Sequence, residues 1–248
     1  MNQNQFNQIL QNTANEPKNI SIEMRNGIII GTVLMGLLIV SLLTLYIWHI
    51  TKARKKETMG FKFESQISNE LTYYTKNKKI NFKYIPGGLY EYAMGSQKFE
   101  IDGILYNNKI FIIIETKYLI GELKGSVANK NLSLVYKKHN RKVTNPISQN
   151  HTHLNHFHAM CGFNLPMLSM IIFPEDLKFS VEGVDNHTII ASEKNYQQIL
   201  QEVENDLDEF GEMDKEKVNA VLDAIKTNKV TSRKDIKKWE KGFKQNGE

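Results

Sequence analysis

Asp102, Glu115 and Lys117, with Glu100 close by in the chain, are the residues best suited to chemistry in this 248-residue sequence. Carboxylates gathered in one patch repel each other, and each one taken out of water without a partner loses on the order of several kcal/mol of hydration. A divalent cation removes both penalties. Mg²⁺ takes hard oxygen ligands from one or two carboxylates and leaves its other positions to water and phosphate oxygens, and Mn²⁺ accepts the same donors. Such an ion polarises a phosphodiester and acidifies a bound water, which a neighbouring ammonium can orient or deprotonate. The alternative is a buried strand that simply emerges into solvent at Glu115-Thr116-Lys117, with its charges hydrated.

The elements that must position these groups are two apolar runs, Ile101 to Tyr106 and Lys109 to Ile114, parted by Asn107 and Asn108. Two such residues between β-branched and aromatic runs predict a tight hairpin. Counting outward pairs Tyr106 with Lys109, Leu105 with Ile110, Asp102 with Ile113 and Glu100 with Glu115. Residues opposite each other, or two apart along a strand, share a face. Glu100, Asp102, Glu115 and Lys117 then point to one side, with Asp102 and Glu115 as diagonal neighbours about 7 Å apart. The unbroken run Ile110 to Ile114 predicts a strand buried on both faces.

The D…E-x-K pattern of Asp102, Glu115 and Lys117 resembles the signature of the PD-(D/E)XK nuclease superfamily. The surroundings are similar to its nuclease-related domain (NERD) branch: Gly60 and Glu64 upstream, Ile101-Asp102-Gly103-Ile104, Gly121 and Gly125 after the E-x-K strand, and Asn145-Pro146-Ile147-Ser148-Gln149. The resemblance covers about residues 58 to 175. Phe63 stands where the family commonly has a second glycine. The resemblance implies a restriction-endonuclease-like α/β fold, a mixed central sheet flanked by helices. It also implies that Asp102 and Glu115 hold Mg²⁺ (or Mn²⁺), that Lys117 positions or activates water, and that Glu64 and Gln149 assist. Glu100 is added from strand register alone, as metal support.

A second feature is physical rather than chemical. Gly27 to Ile50 contains no Asp, Glu, Lys or Arg; as a helix it spans about 36 Å, against about 30 Å of hydrocarbon. Tyr46 and Trp48 suit a membrane interface, and Lys52, Arg54, Lys55 and Lys56 follow at once, which by the positive-inside rule puts the C-terminal part in the cytoplasm. A cleaved signal peptide fits poorly, because the apolar run is too long and the basic flank lies on the wrong side. The expected organisation is a polar extracytoplasmic tail over 1–26, a single membrane-spanning helix over 27–50 and a basic juxtamembrane linker over 51–57. The nuclease-like domain over 58–175 and a C-terminal strand and helical extension over 176–248 follow.

The formal charge of +5 and pI near 9.0 are compatible with an anionic partner such as nucleic acid. Lys124, Lys137, Lys138 and Arg141, with Lys130 and Lys142, are placed to follow a phosphate backbone, although scattered lysines are also an ordinary solvated face. Phe63, Ile67, Leu71 and Tyr74 predict an amphipathic helix over 58–74, with Glu64 on its core flank. Asn81 to Tyr84 reads as a short strand broken by Pro86-Gly87-Gly88, with a loop over 89–97, and Gly121 and Gly125 bracket a turn-rich segment. Strands are expected at 132–136, 168–173 and 188–191.

Asn145-Pro146 is a helix start. Gln149 falls off that helix's apolar stripe. His151, His153, His156 and His158 lie on the same helix, without the cysteines or spacing of a zinc site. Cys161, the single cysteine, suits a reduced compartment and a small buried role. Helices are expected over 195–210 and 214–243. The function these features favour is metal-dependent hydrolysis of DNA or RNA by a domain tethered to the bilayer. A catalytically inactive module that binds nucleic acid or protein at the membrane is the alternative from another class.

Overall fold

The computed structural model describes residues 21–77, 80–236 and 239. Most of the expected polar tail, and the chain beyond 239, lie outside the described residues. The chain divides into two units, Met1–Lys56 and Glu57–Glu248. Helix α1 is Ile22–Lys76, and the helical conformation runs through 51–57, where a linker was expected. In the first unit it carries an apolar stretch, Met24–Trp48, long and apolar enough to cross a membrane and with none of it buried by protein. Leu34, Leu38 and Leu45 are each 60% exposed.

The second unit is a mixed α/β structure built on two sheets. Strands β1 (Lys83–Tyr92), β2 (Gln97–Tyr106), β3 (Phe111–Thr116), β7 (Met167–Phe173) and β9 (Thr188–Ser192) form the first sheet, in the order β1-β2-β3-β7-β9. The β1, β2 and β3 neighbours run antiparallel, while β3, β7 and β9 run parallel. Strands β4 (Gly121–Ser126), β5 (Asn131–Tyr136), β6 (His139–Thr144) and β8 (Leu177–Glu182) form the second, in the order β6-β5-β4-β8. The expected mixed central sheet flanked by helices is present as the first sheet, and the second sheet is an addition to it. The second escapes a reading of hydrophobic pattern because its strands are short and β6 is almost wholly exposed.

Helices cover both faces of the first sheet. On one side Phe63, Ile67, Leu71 and Tyr74 of α1, with Tyr196 and Leu200 of α3 (Tyr196–Asp206), pack on Leu105, Ile112 and Ile114. On the other, Phe157 and Cys161 of α2 (Pro146–Cys161), with Val221 and Ile225 of α4 (Lys215–Asn228), pack on Ile104, Phe111 and Ile113. Alternation of faces along β3 follows the period of a strand, and the five residues Phe111 to Glu115 are all buried, as the apolar run predicts.

The central hairpin differs in its turn. Tyr106 pairs with Phe111, Leu105 with Ile112 and Gly103 with Ile114, two residues on from the expected register. Asn107 Oδ1 accepts from the backbone N–H of Lys109 and of Ile110, closing a wider Asx-type turn than two residues allow. A slip of two leaves the side chains of β3 on their expected faces, whereas a slip of one would have inverted them; along β2 the alternation breaks between Ile101 and Ile104, which join the same core cluster.

Strand β1 also passes straight through Pro86-Gly87-Gly88, correcting the expected break and the loop over 89–97. It is an edge strand of the sheet, where proline is tolerated. Gly121 and Gly125 likewise sit within strand β4 at φ 120° and 136°, not in a turn-rich segment. A Cβ at Gly121 would lie 2.3 Å from the Val135 carbonyl oxygen, so glycine is needed there. The expected helix over 214–243 stops at Asn228, because Lys229 and Val230 leave it to pair with β1.

Candidate active site

Asp102 lies where β2 and β3 part, one residue past the last pair of their ladder, Gly103 with Ile114. Its Oδ2 accepts from the Thr116 backbone N–H at 2.7 Å and from the Thr116 hydroxyl at 2.9 Å. Both bonds converge on one oxygen, so neither engages Oδ1. Burial and the neighbouring Glu115 charge push the Asp102 carboxyl up to about 7, against the opposing pull of the Thr116 bonds and Lys117.

Glu115, one residue before, is 2% exposed. Its Oε1 accepts from Lys117 Nζ at 3.1 Å, and Lys117 Nζ also donates to Gln149 Oε1 at 2.9 Å. Burial raises Glu115 above the usual carboxylate range, Lys117 lowers it, and Glu64 and Glu100 raise it further. Lys117 stays above its ordinary value: burial works to lower it, and Glu115, Asp102 and Glu64 together outweigh that. The ammonium is therefore held charged between an acid and an amide.

Gln149 reaches this point because α2 starts where it does. Asn145 caps the helix, its Oδ1 accepting from Ile147 N–H at 3.0 Å while its amide donates to the Val127 and Asn129 carbonyls. Pro146 occupies the first turn, and one turn on Gln149 faces Lys117 although it lies off the buried stripe. Glu64 arrives from α1. Burial first, then the charges of Asp102 and Glu100, raise its carboxyl to about 7, with Lys117 opposing. Glu100 is exposed and acts on both Glu64 and Glu115 through its charge.

Two further residues belong to the site and were missed by the sequence pattern. His153, one turn beyond Gln149, sets its Nε2 3.6 Å from Glu115 Oε2, and its Nδ1 is buried with no hydrogen-bond partner. Burial, Lys117 and His156 pull it down to about 4, so at neutral pH the ring is uncharged. Asn150 is fully buried and donates to the Ile113 carbonyl at 3.0 Å and to Ser169 Oγ at 2.8 Å, pinning α2 across β3 and β7. A histidine and an asparagine one turn apart after Gln149 were the available signal.

The four histidines of α2 do not converge. His151 Nε2 is 2.9 Å from Thr188 Oγ1, and His156 Nδ1 is 2.9 Å from the Tyr92 hydroxyl with its ring stacked on Phe99. Among the described residues no group of three or more His, Cys, Asp or Glu is arranged to cage a metal ion. Asp102 and Glu115 are the acids that could hold a cation which keeps most of its water, since Mg²⁺ needs only one or two protein carboxylates. Burial pushes the Cys161 thiol up to about 12, which leaves it a packing residue.

The basic residues lie on the second sheet. Lys124, Arg141 and Lys142 line a depression of about 360 Å³ with Asn129, Asn131 and Asn140. Lys124 is also paired with Glu122 at 2.9 Å. Lys137 sits at φ 54° in the β5–β6 turn with its ammonium over the Tyr136 ring, and Lys138 is the other residue of that turn, so neither lines the depression.

Residues 59–174 match the family model NERD, nuclease-related domain, within two residues of the span marked by the sequence motifs. No curated protein and no solved structure matches the chain.

Proposed function

We propose, from the nuclease-related domain match over residues 59–174, that this chain is a membrane-anchored, metal-dependent nuclease that hydrolyses phosphodiester bonds. The observation that carries this is the Lys117 ammonium, bonded at once to Glu115 and to Gln149 beside the Asp102 carboxylate. Asp102 and Glu115 would hold Mg²⁺ (or Mn²⁺), with Glu100 as support; bound there, the ion supplies charge neutralisation at the phosphate and a more acidic water.

The chain's own residues do the rest. Lys117 orients the attacking water and neutralises charge gathering on the phosphoryl oxygens, and Gln149 and Glu115 fix its ammonium in place. The water oxygen bonds to phosphorus as the bond to the leaving oxygen breaks; the water's proton passes to a nearby base, and the leaving oxygen takes up a proton from solvent to end as a hydroxyl. Glu64, raised to about 7, can accept or return a proton near neutral pH. Lys124, Lys137, Lys138 and Arg141 contact phosphates of DNA or RNA away from the cut. The apolar helix crosses the cell membrane once, with the short N-terminal tail outside and the catalytic domain cytoplasmic, following the Lys52, Arg54, Lys55, Lys56 flank.

The depression lined by Lys124, Arg141 and Lys142 favours one other reading, a domain that binds nucleic acid or protein without cutting. Full-length chain in detergent, incubated with labelled DNA and RNA with and without Mg²⁺, separates the two. Mg²⁺-dependent cleavage that is lost in Glu115→Ala and Lys117→Ala supports the nuclease. Salt-sensitive binding with no cleavage by the wild type overturns it in favour of the binding module.

A further inference from the structure

The segment after α4 lies beyond the nuclease-related match, yet it returns to the outer edge of β1. Lys229 pairs with Tyr90 across the outer edge of β1, and the Val230 N–H donates to the Leu89 carbonyl at 2.9 Å. The Lys229 side chain then runs back along β1. Its Cε occupies the space beside Gly88, 2.8 Å from where a Cβ would stand, and its Nζ donates to the carbonyls of Pro86 and Gly87, each at 3.0 Å. These two oxygens replace water for a half-buried ammonium.

Gly87 is the link onward. A Cβ built there would lie 2.3 Å from the Ile101 carbonyl oxygen and 2.4 Å from that of Asp102, so the backbone at Gly87 rests directly on the peptide that carries the Asp102 side chain. Here too the faces of β2 change over: Ile104 and Ile101, an odd number of residues apart, join the same core cluster. Simple alternation would separate them. Asp102 stands inside that irregular stretch, and its Oδ2 is tied to Thr116 on β3.

We infer that Lys229 is a positioning residue for the site: its ammonium fixes the course of β1 at Pro86 and Gly87, and that backbone in turn sets the Asp102 carboxylate against Thr116. The C-terminal extension is then part of the machinery. This rests on the reading of Asp102 as a metal-holding carboxylate.

Neighbouring amides report the link without any metal. The Thr116 N–H donates to Asp102 Oδ2, whereas the next amide, Lys117 N–H, donates to the Ile172 carbonyl on β7. Hydrogen exchange of the metal-free full chain in detergent, read residue by residue, is compared between wild type, Lys229→Met and Lys229→Gln, the last keeping one donor group. Mn²⁺ affinity is measured by direct titration on the same proteins.

In Lys229→Met, Thr116 exchange rises about tenfold with Lys117 unchanged, and Mn²⁺ affinity falls about tenfold; Lys229→Gln falls between. Equal loss of protection at both amides, or none at Thr116, overturns the inference, as does a loosened Thr116 with Mn²⁺ affinity unchanged. If Lys229→Met does not fold, Lys229→Gln decides by the same criteria. A wild type that binds no Mn²⁺ overturns the metal reading of Asp102 and with it the functional role of Lys229, while the amide comparison still decides the mechanical link.

Discussion

Lys117 Nζ lies 2.9 Å from Gln149 Oε1 and 3.1 Å from Glu115 Oε1, so a helix and a strand, through residues 34 apart in the chain, hold one ammonium between them. A primary amine on a four-carbon stem has ample freedom, and two acceptors remove most of it. Gln149→Leu keeps the volume and removes the acceptor. Cleavage then falls about 10- to 100-fold in kcat, with little change in KM, in steady-state assays of the full chain. An unchanged kcat removes Gln149 from the site.

The acids make the metal-free protein respond to pH. Asp102 and Glu64 move from 3.8 and 4.5 up to about 7, so the folded state binds more protons than the unfolded chain across that window. Their stabilising contribution is complete below about 4 and is lost as pH rises through about 7. His153, lowered from 6.5 to about 4, acts in the opposite sense, and its contribution is lost as pH falls through that range. Two groups outweigh one. Thermal melts in EDTA therefore show Tm falling between pH 5 and pH 8, Mg²⁺ restores stability most at the alkaline end, and Asp102→Asn flattens the EDTA profile.

Asn150 is a buried polar residue whose amide serves the Ile113 carbonyl and Ser169 at once. Asn150→Ala leaves both unsatisfied and opens a void, so the chain loses about 2 to 4 kcal/mol. The loss is read as a lower denaturation midpoint, with the same unfolding slope.

The apolar stretch of α1 gives a prediction independent of the chemistry. The full chain stays with membranes after alkaline carbonate extraction, and a variant lacking residues 1–56 does not. Protease added outside intact cells leaves the C-terminal domain whole. Its digestion there reverses the proposed orientation.

The carboxylate strand pair and the start of α2 were legible because each rests on local chemistry: an unbroken Ile run for a strand buried on both faces, and Asn145-Pro146 for a cap and a first turn. The turn at Asn107 was misjudged by two residues, yet the faces of β3 survived because a strand repeats every two; the change of face along β2 between Ile101 and Ile104 has no local signal in the sequence. Lys229 was out of reach. Its partners Pro86 and Gly87 lie more than 140 residues earlier in the chain, and nothing local marks them as acceptors. His153 was visible as one of four histidines, but only the packing of α2 on β3 tells which one faces Glu115. The second sheet was half seen, since β5 shows an apolar pattern while β4, β6 and β8 are short and rich in glycine, lysine or exposed side chains.

Among the described residues, strand β6 is bonded to β5 on one side and to no strand on the other. An open margin of backbone donors and acceptors is a template on which a second molecule can zip itself into a shared ribbon. His139, Arg141 and Lys142 stand along this one, all exposed. Two copies brought together in register would set the Arg141 and Lys142 cations of one against those of the other, so the side chains proposed to meet an anionic polymer would also keep identical chains from fusing at that border.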